Sequence, residues 1–167
     1  MLGSFGVGKT SLVRRFVYNK FDEKYLSTIG VQISQKQIPP VEHNYSGSIE
    51  QIKLILWDIA HIEKFNEVIK NYFRGSHAAI VVFDVTRSQT AKETDFFLKP
   101  YLEINPKSKL FFVGNKIDLV DKDAIDMEQL LHLAKAYKTS FVLTSAKTSE
   151  NVERLFTKLG TLLLEAD

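Results

Sequence analysis

Residues 3–10, GSFGVGKT, are the stretch that decides the fold. Their order is glycine, four residues, glycine, lysine and threonine, and a segment with helical periodicity follows at once. Glycines allow successive backbone N–H groups to turn toward a phosphate, and the start of a helix adds positive potential at the same point. The stretch therefore predicts a phosphate-binding loop, in which Lys9 reaches the terminal phosphates and the Thr10 hydroxyl is a ligand of Mg²⁺. The simpler interpretation is a glycine-rich turn before an ordinary helix.

Length and composition favour one compact domain over residues 1–167. A chain of 167 residues that is 44% hydrophobic can bury one sizeable core. A formal net charge of +2 gives no sign of a nucleic-acid-binding surface, and the lack of cysteine indicates a cytoplasmic protein without disulfides or thiolate metal sites. No apolar run reaches the length of a membrane span, so we expect any membrane contact to be peripheral, through a partner or a tail outside these residues. We also expect a monomer.

Apolar runs alternate with amphipathic segments along the whole chain, which is typical of parallel strands joined by crossover helices. The fold class is therefore α/β. Strand-like segments, rich in β-branched and aromatic residues, cover residues 31–38, 52–57, 78–85, 109–114 and 140–143. Helical periods cover residues 9–16, 65–74, 90–104, 127–137 and 151–164.

One more strand is expected before the phosphate loop, which makes a mostly parallel six-stranded sheet flanked by helices. Only Met1 and Leu2 precede Gly3, so this first strand should be largely absent. Either the chain is cropped or its start is misplaced, because a missing central strand leaves two neighbouring edges unpaired. Residues 39–48 contain two prolines and several turn-forming residues and predict a loop, which we interpret as a tolerated insertion.

Two polar motifs follow apolar strands late in the chain. Asn115-Lys-Ile-Asp118 comes directly after residues 110–114, and Ser145-Ala-Lys147 follows the last strand. A carboxylate at Asp118 can accept hydrogen bonds from both the ring N–H and the amino group of guanine, whereas adenine presents no such pair. Each motif alone is consistent with a polar turn. Together, after a phosphate loop, they predict a guanine nucleotide.

These motifs resemble the guanine-recognition motifs of the Ras superfamily of small GTPases, which have the P-loop NTPase fold. The resemblance implies GTP or GDP with Mg²⁺ as ligands. It implies that Asn115 braces the base loop, Lys116 lies along the ring, the Ala146 N–H faces the guanine carbonyl and Phe21 stacks on the other side. The full set of nucleotide-binding positions it implies is Gly6, Val7, Gly8, Lys9, Thr10, Ser11, Phe21, Thr28, Asn115, Lys116, Asp118, Leu119, Ser145, Ala146 and Lys147.

The two switch regions of the family also have counterparts. Thr28, in Ser27-Thr-Ile-Gly30, matches the threonine that senses the γ-phosphate and Mg²⁺. Asp58, at the end of an apolar strand, matches the magnesium-side carboxylate. The resemblance thus implies Thr10, Thr28 and Asp58 as the metal site, with Lys9 and Thr28 in catalysis. In isolation, Thr28 is equally consistent with an exposed loop hydroxyl and Asp58 with a strand-end turn.

Among subfamilies the resemblance is closest to Rab and covers nearly the whole chain. It is carried by Ile29-Gly-Val31, Trp57-Asp58, Glu63-Lys-Phe65 and Tyr72-Phe-Arg-Gly75. It implies that effector and regulatory proteins bind through the switches. Trp57 and Tyr72 match the aromatic residues that Rab proteins present there, but Ile33 stands where an aromatic is usual. Core packing is the alternative for Ile33 and Trp57.

The second switch departs from the family pattern Asp-Thr-Ala-Gly-Gln. His61 replaces the glycine and Ile62 the glutamine that orients the attacking water; isoleucine has no donor or acceptor for this. Phe5 adds bulk to the phosphate loop where an inserted arginine would act. We therefore predict slow intrinsic hydrolysis. His61 as a substitute catalytic residue, and a group brought by a partner, are alternatives.

Three functions remain open from the sequence. The first is a guanine-nucleotide switch with weak catalysis, and the second is a non-catalytic scaffold that retains the fold. The third, a P-loop kinase or ATPase, conflicts with Asp118, because adenine cannot satisfy that carboxylate. A structural difference between the GDP and GTP forms separates the first two.

Overall fold

The structure is a computed structural model that describes residues 1–23, 28–42, 47, 49–60, 62 and 64–164. Strands and helices alternate along this part of the chain. In chain order they are α1 (Lys9–Tyr18), β1 (Val31–Gln37), β2 (Val41–Glu42), β3 (Ile49–Glu50), β4 (Lys53–Ile59), α2 (Glu67–Phe73), β5 (Ala78–Asp84), α3 (Gln89–Lys92), α4 (Thr94–Ile104), β6 (Lys109–Asn115), α5 (Met127–Ala136), β7 (Phe141–Thr144) and α6 (Val152–Leu164). Short 3₁₀ turns at Ile117–Leu119 and Lys122–Ala124 follow β6. This order confirms the α/β class and the five predicted strands.

The strands form three sheets in the described residues. β5, β6 and β7 make a parallel sheet in the order β5-β6-β7, and β1 pairs with β4 antiparallel. Leu2 forms a parallel bridge with Val81: its N–H donates to Ile80 O at 2.8 Å, and Val82 N–H donates to Leu2 O at 2.9 Å. The strand expected before the phosphate loop is thus represented by this bridge, and the predicted six-stranded sheet is divided into a parallel and an antiparallel part.

Strand β5 is buried on both faces, as expected for a parallel strand between layers of helices. Its alternate residues point to different cores. Ile80 and Val82 pack in a core with α1 and α6, where the Phe16 and Phe156 rings stack at 3.9 Å between centroids. Val81 packs in a second core with residues of α4 and α5. The helices therefore lie on both faces of the sheet, and the carboxyl ends of the strands are left to form a site.

Two sequence predictions are corrected. The helix predicted over residues 90–104 is interrupted at Glu93, because the Thr94 hydroxyl donates to the Ala91 carbonyl at 2.6 Å and so competes with the helical bonding pattern. The loop predicted over residues 39–48 contains β2, which pairs antiparallel with β3. The buried side chain of Val41 explains the pairing, because it joins the core around α1 and α6. Within the described residues, no helix has the length and apolar character needed to cross a membrane.

Candidate functional site

A cavity of about 480 Å³ lies at the carboxyl ends of β4, β6 and β7. This is the edge where open α/β sheets bind ligands. The phosphate loop closes one end of the cavity, and the loops after β6 and β7 close the other. The predicted site residues that line it are Gly6, Gly8, Lys9, Thr10, Ser11, Phe21, Thr28, Asn115, Lys116, Asp118, Leu119, Ala146 and Lys147.

The phosphate loop turns at two glycines and encloses a buried lysine. Gly6 and Gly8 have φ of 71° and 99°, which residues with a side chain rarely adopt, and α1 begins directly after Gly8. Lys9 Nζ donates to the carbonyls of Gly3 at 2.7 Å and Ser4 at 3.0 Å. Burial lowers the pKa of Lys9 from 10.5 to about 8, and the nearby Asp58 carboxylate opposes this shift. An ammonium group with so little water around it gains strongly from an anion in the cavity.

The side-chain oxygens of three residues, Thr10, Thr28 and Asp58, lie close together beside the first turn of α1. Thr10 Oγ1 donates to Asp58 Oδ2 at 2.6 Å and lies 2.5 Å from Thr28 Oγ1. Asp58 is only 1% exposed, and its Oδ1 has no hydrogen-bond partner. Burial raises the pKa of Asp58, while the Thr10 hydrogen bond and nearby positive charges lower it. A buried carboxylate oxygen without a partner is costly, so this position calls for a cation.

These groups fit Mg²⁺. Magnesium prefers oxygen ligands and is commonly held by one or two protein carboxylates together with phosphates and water. Within the described residues, no group of three or more His, Asp and Glu side chains could hold a metal. A site with one carboxylate and two hydroxyls therefore relies on the ligand's own phosphates for its remaining oxygens.

Asn115 braces the base-facing end of the cavity. Its side chain is buried, with Oδ1 accepting from Thr144 Oγ1 and from the Ala146 N–H, both at 3.2 Å. The Ala146 N–H, which the family resemblance assigns to the guanine carbonyl, is thus engaged by Asn115 in this structure. Ala146 itself lines the cavity.

The Asp118 carboxylate, which the sequence predicts to contact guanine, is held at the cavity by a serine. Ser145 Oγ donates to Asp118 Oδ1 at 2.5 Å, and Ser145 is itself fully buried. Asp118 remains exposed, with its other oxygen available to a ligand. Beside it, Lys116 has φ of 70°, which turns the chain sharply after β6. The loop therefore leaves the Asp118 carboxylate exposed at the wall of the cavity.

Three predicted site residues lie outside the main cavity. Val7 is fully buried, and Ser145 acts on the cavity only through Asp118. Asp58 lines a smaller cavity of about 390 Å³ that shares Thr10 with the main one. His61, predicted as a low-ranking catalytic group, lies outside the described residues.

The other two departures from the family pattern, Ile62 and Phe5, lie in the part of the chain that the structure describes. Ile62 is 4% exposed and packs in the second core, with Phe73 and Ile59 among its members. It does not line the cavity. Phe5, by contrast, is 51% exposed and lines the cavity mouth.

Sequence reasoning missed three residues that brace the site. Arg15, on α1, donates from Nε to Ala146 O at 2.9 Å and from a terminal nitrogen to Lys147 O at 2.8 Å. Asp84, at the end of β5, accepts from Lys116 Nζ at 2.7 Å and from Arg87 Nε at 3.0 Å. The sequence did contain a signal for Asp84, because this aspartate stands at the end of an apolar run. No local pattern identifies Arg15 or Arg87 as braces, because the loop carbonyls to which they donate, those of Ala146 and Phe5, are distant in sequence.

An apolar face lies beside the site on β1 and β4. Ile33 and Trp57 are direct partners across these strands, and they are 58% and 37% exposed. The alternative that they pack in the core is therefore wrong. The Trp57 ring lies 6.0 Å from that of Tyr72, measured between centroids.

The family model described as "Ras family" matches residues 1–165. The matched span includes the phosphate loop, the Thr10, Thr28 and Asp58 oxygens, and both loops at the base-facing end of the cavity.

Proposed function

Since the chain belongs to the Ras family, we propose that this small GTPase is a Rab-like guanine-nucleotide switch that binds GTP and GDP with Mg²⁺ and hydrolyses GTP slowly. The observation that carries the proposal is that Lys9, Thr10, Thr28 and Asp118 line one cavity. Asp58, which lines the adjoining smaller cavity, is hydrogen-bonded to Thr10 at 2.6 Å. Lys9 stands at one end of the main cavity and Asp118 at the other. An adenine nucleotide would leave the Asp118 carboxylate without its two donors.

Each part of the site has a separate role in binding. The N–H groups of the phosphate loop and the Lys9 ammonium group hold the phosphates, and the positive end of α1 adds to their potential. Thr10, Thr28 and Asp58 would hold Mg²⁺, which neutralises charge on the terminal phosphates when bound. Phe21, which lines the cavity, would stack on the base. These groups bind and orient the nucleotide.

Slow hydrolysis is supported by the position of Ile62. Its side chain is apolar, buried and directed into the core, so it does not orient water at the cavity. Phe5 narrows the approach of any group that a partner would insert beside the phosphate loop. Catalysis thus depends on Lys9, Thr28 and the metal site, without the usual water-positioning amide.

The exposed apolar face of β1 and β4 supports effector binding. Ile33 and Trp57 lie at its centre, and Thr28, which precedes β1, lies at the metal site. A change at the γ-phosphate would reach this face through Thr28 and through Asp58, which follows Trp57 directly. We place the protein in the cytoplasm, acting as a monomer, with membrane contact only through a partner or a tail outside these residues.

The first test identifies the nucleotide that co-purifies with the protein, by denaturation and chromatography, and then measures single-turnover GTP hydrolysis. GTP in the purified protein, or a hydrolysis rate well below that of a glutamine-containing Rab measured in parallel, supports the proposal. Hydrolysis as fast as in that reference contradicts the slow-hydrolysis part. Displacement of the bound nucleotide by ATP as readily as by GTP contradicts guanine recognition.

A non-catalytic scaffold is the second candidate, favoured by the burial of Ile62. Trp57 is the only tryptophan of the chain, so its fluorescence reports on the end of β4 alone. The switch function predicts different emission for the protein loaded with GDP and with a non-hydrolysable GTP analogue, both with Mg²⁺. Identical spectra, with both nucleotides shown to be bound, favour the scaffold.

A further inference from the structure

Arg87 joins two loops that contact opposite ends of the nucleotide cavity. It lies between β5 and α3, and its side chain is half-exposed. One terminal nitrogen of its guanidinium group donates to the backbone carbonyl of Phe5, in the phosphate loop, at 2.9 Å. Its Nε donates to Asp84 Oδ2 at 3.0 Å.

Asp84 carries the connection to the base-facing loop. The same Oδ2 atom accepts from Lys116 Nζ at 2.7 Å, and Oδ1 accepts from the Thr86 backbone N–H at 3.0 Å. The Asp84 side chain is 2% exposed, whereas those of Arg87 and Lys116 are 46% and 31% exposed. A buried carboxylate between two cations is held in one place by charge-assisted hydrogen bonds.

We propose that Arg87 is a positioning residue that holds the phosphate loop in its binding conformation through the Phe5 carbonyl and joins that loop, through Asp84, to Lys116. The planar guanidinium group suits this role because its nitrogens donate in fixed, different directions, which a lysine ammonium group does not reproduce. Glu93, which lies between α3 and α4, accepts a hydrogen bond from the Ser4 hydroxyl. Two neighbouring residues of the phosphate loop, Ser4 and Phe5, are therefore held by residues that follow β5. The inference rests on the proposed guanine-nucleotide binding.

One consequence is that nucleotide release can be accelerated by a change at a residue that lies outside both switch regions in sequence. When Arg87 is lost, Phe5 O loses a charged donor and the loop around Gly6 gains conformational freedom. The β-phosphate, which needs the loop's N–H groups aligned, is then held less firmly. The base is affected less, because Lys116 keeps its bond to Asp84.

The test measures dissociation of the fluorescent nucleotide mant-GDP from the full chain, chased with unlabelled GDP. Arg87→Gln is expected to raise the dissociation rate roughly tenfold, the size expected for losing one or two charge-assisted hydrogen bonds at a half-exposed side chain. Arg87→Lys restores the charge but makes only one of the two contacts, so its rate should lie between those of the wild type and Arg87→Gln. The matched control is Arg154→Gln on α6, an exposed arginine away from the cavity, which should leave the rate unchanged.

A second measurement separates positioning from a general loss of stability. In competition against mant-GDP, Arg87→Gln should lower the affinity for GDP more than the affinity for GMP, because GMP lacks the β-phosphate. The inference is overturned if the dissociation rate of Arg87→Gln lies within twofold of the wild-type rate, or if this variant loses affinity for GDP and GMP equally. If the wild-type protein itself fails to retain mant-GDP, the proposed function fails first and this inference with it.

Discussion

Asn115 Nδ2 donates a hydrogen bond to the backbone carbonyl of Val7 at 2.9 Å, across 108 residues of sequence. The bond is buried, and it joins the end of β6 to the middle of the phosphate loop. Because Asn115 Oδ1 also accepts from Ala146, one side chain fixes three loops around the cavity. The Asn115 side chain therefore links the phosphate loop to the loops at the other end of the cavity.

Gly8→Ala should abolish nucleotide binding. A Cβ at this position would lie 2.2 Å from Asn115 Nδ2, and the φ of 99° is unfavourable for alanine. Gly75→Ala is the control, since Gly75 has a similar φ of 74° but nothing within 4 Å of the added Cβ. Both variants should lose about 1 kcal/mol of unfolding free energy to backbone strain. Gly8→Ala should lose more, because its Cβ displaces the buried Asn115 amide, and only Gly8→Ala should fail to bind mant-GDP. Normal binding by Gly8→Ala would contradict the importance of the Asn115 contact.

Asp58→Asn should stabilise the protein when metal and nucleotide are absent. Burial raises the Asp58 pKa above its ordinary 3.8, so the folded state binds this proton more tightly than the unfolded state does. The protonated Asp58 side chain therefore contributes its full share to the free energy of unfolding below pH 3.8, and this contribution is lost as the pH rises through the raised pKa of Asp58. At neutral pH, Asp58→Asn should therefore raise the unfolding free energy by about 1 kcal/mol, measured by urea denaturation.

The same variant should lose its response to Mg²⁺. In the wild type, adding Mg²⁺ should slow mant-GDP dissociation, whereas in Asp58→Asn the rate should not depend on Mg²⁺. Asp121→Asn, at an exposed carboxylate, should behave as the wild type in both assays. A full Mg²⁺ response in Asp58→Asn would remove Asp58 from the metal site.

Asp118→Asn should weaken GDP binding and shift base preference. The carboxylate supplies two acceptors to guanine, and its loss should cost about 100-fold in affinity. An asparagine amide donates to one position and accepts from the other, which matches xanthine better than guanine, so XDP should compete more effectively than GDP. Ser145→Ala, which removes only the hydroxyl that holds Asp118, should weaken GDP binding less and leave the preference for guanine unchanged. An unchanged preference in Asp118→Asn would contradict its base-reading role.

Ile62→Ala should reduce stability without changing hydrolysis. Its side chain is 4% exposed in a packed core, so truncation should cost about 2 to 4 kcal/mol of unfolding free energy. Ile49→Ala, at a residue that is 73% exposed, should cost far less. Single-turnover hydrolysis by folded Ile62→Ala should match that of the wild type. A lower rate at equal nucleotide occupancy would show that Ile62 does contribute to catalysis.

Much of the fold and site follows from local sequence patterns. The phosphate loop has fixed spacing, and its glycines adopt the positive φ values that the spacing requires. The parallel strands are apolar runs such as residues 78–84, which are buried along nearly their whole length. Asn115 follows such a run directly and Asp118 lies three residues farther on, which is why the sequence predicted both at the edge of the sheet where the cavity lies.

The parts that were not predicted depend on contacts made only in the folded chain. Arg87 lies 82 residues from Phe5, and Arg15 lies 131 residues from Ala146. An exposed arginine on a helix or in a loop has the same local pattern whether or not a carbonyl lies nearby. The break at Glu93 was missed for a related reason, since a threonine hydroxyl that bonds to a carbonyl one turn earlier leaves the hydrophobic period almost unchanged.

The helix α1 contacts two parts of the cavity wall: Thr10 is hydrogen-bonded to Asp58 at the proposed metal site, and Arg15 donates to the carbonyls of Ala146 and Lys147. These two residues are separated by five helical steps, a rise of about 7.5 Å. A helix is far less extensible than a loop, so α1 fixes the distance between Thr10 at one of these two parts of the cavity wall and Arg15 at the other. The protein should consequently select its ligand by length as well as by base, favouring nucleotides that extend from the base loop to the metal.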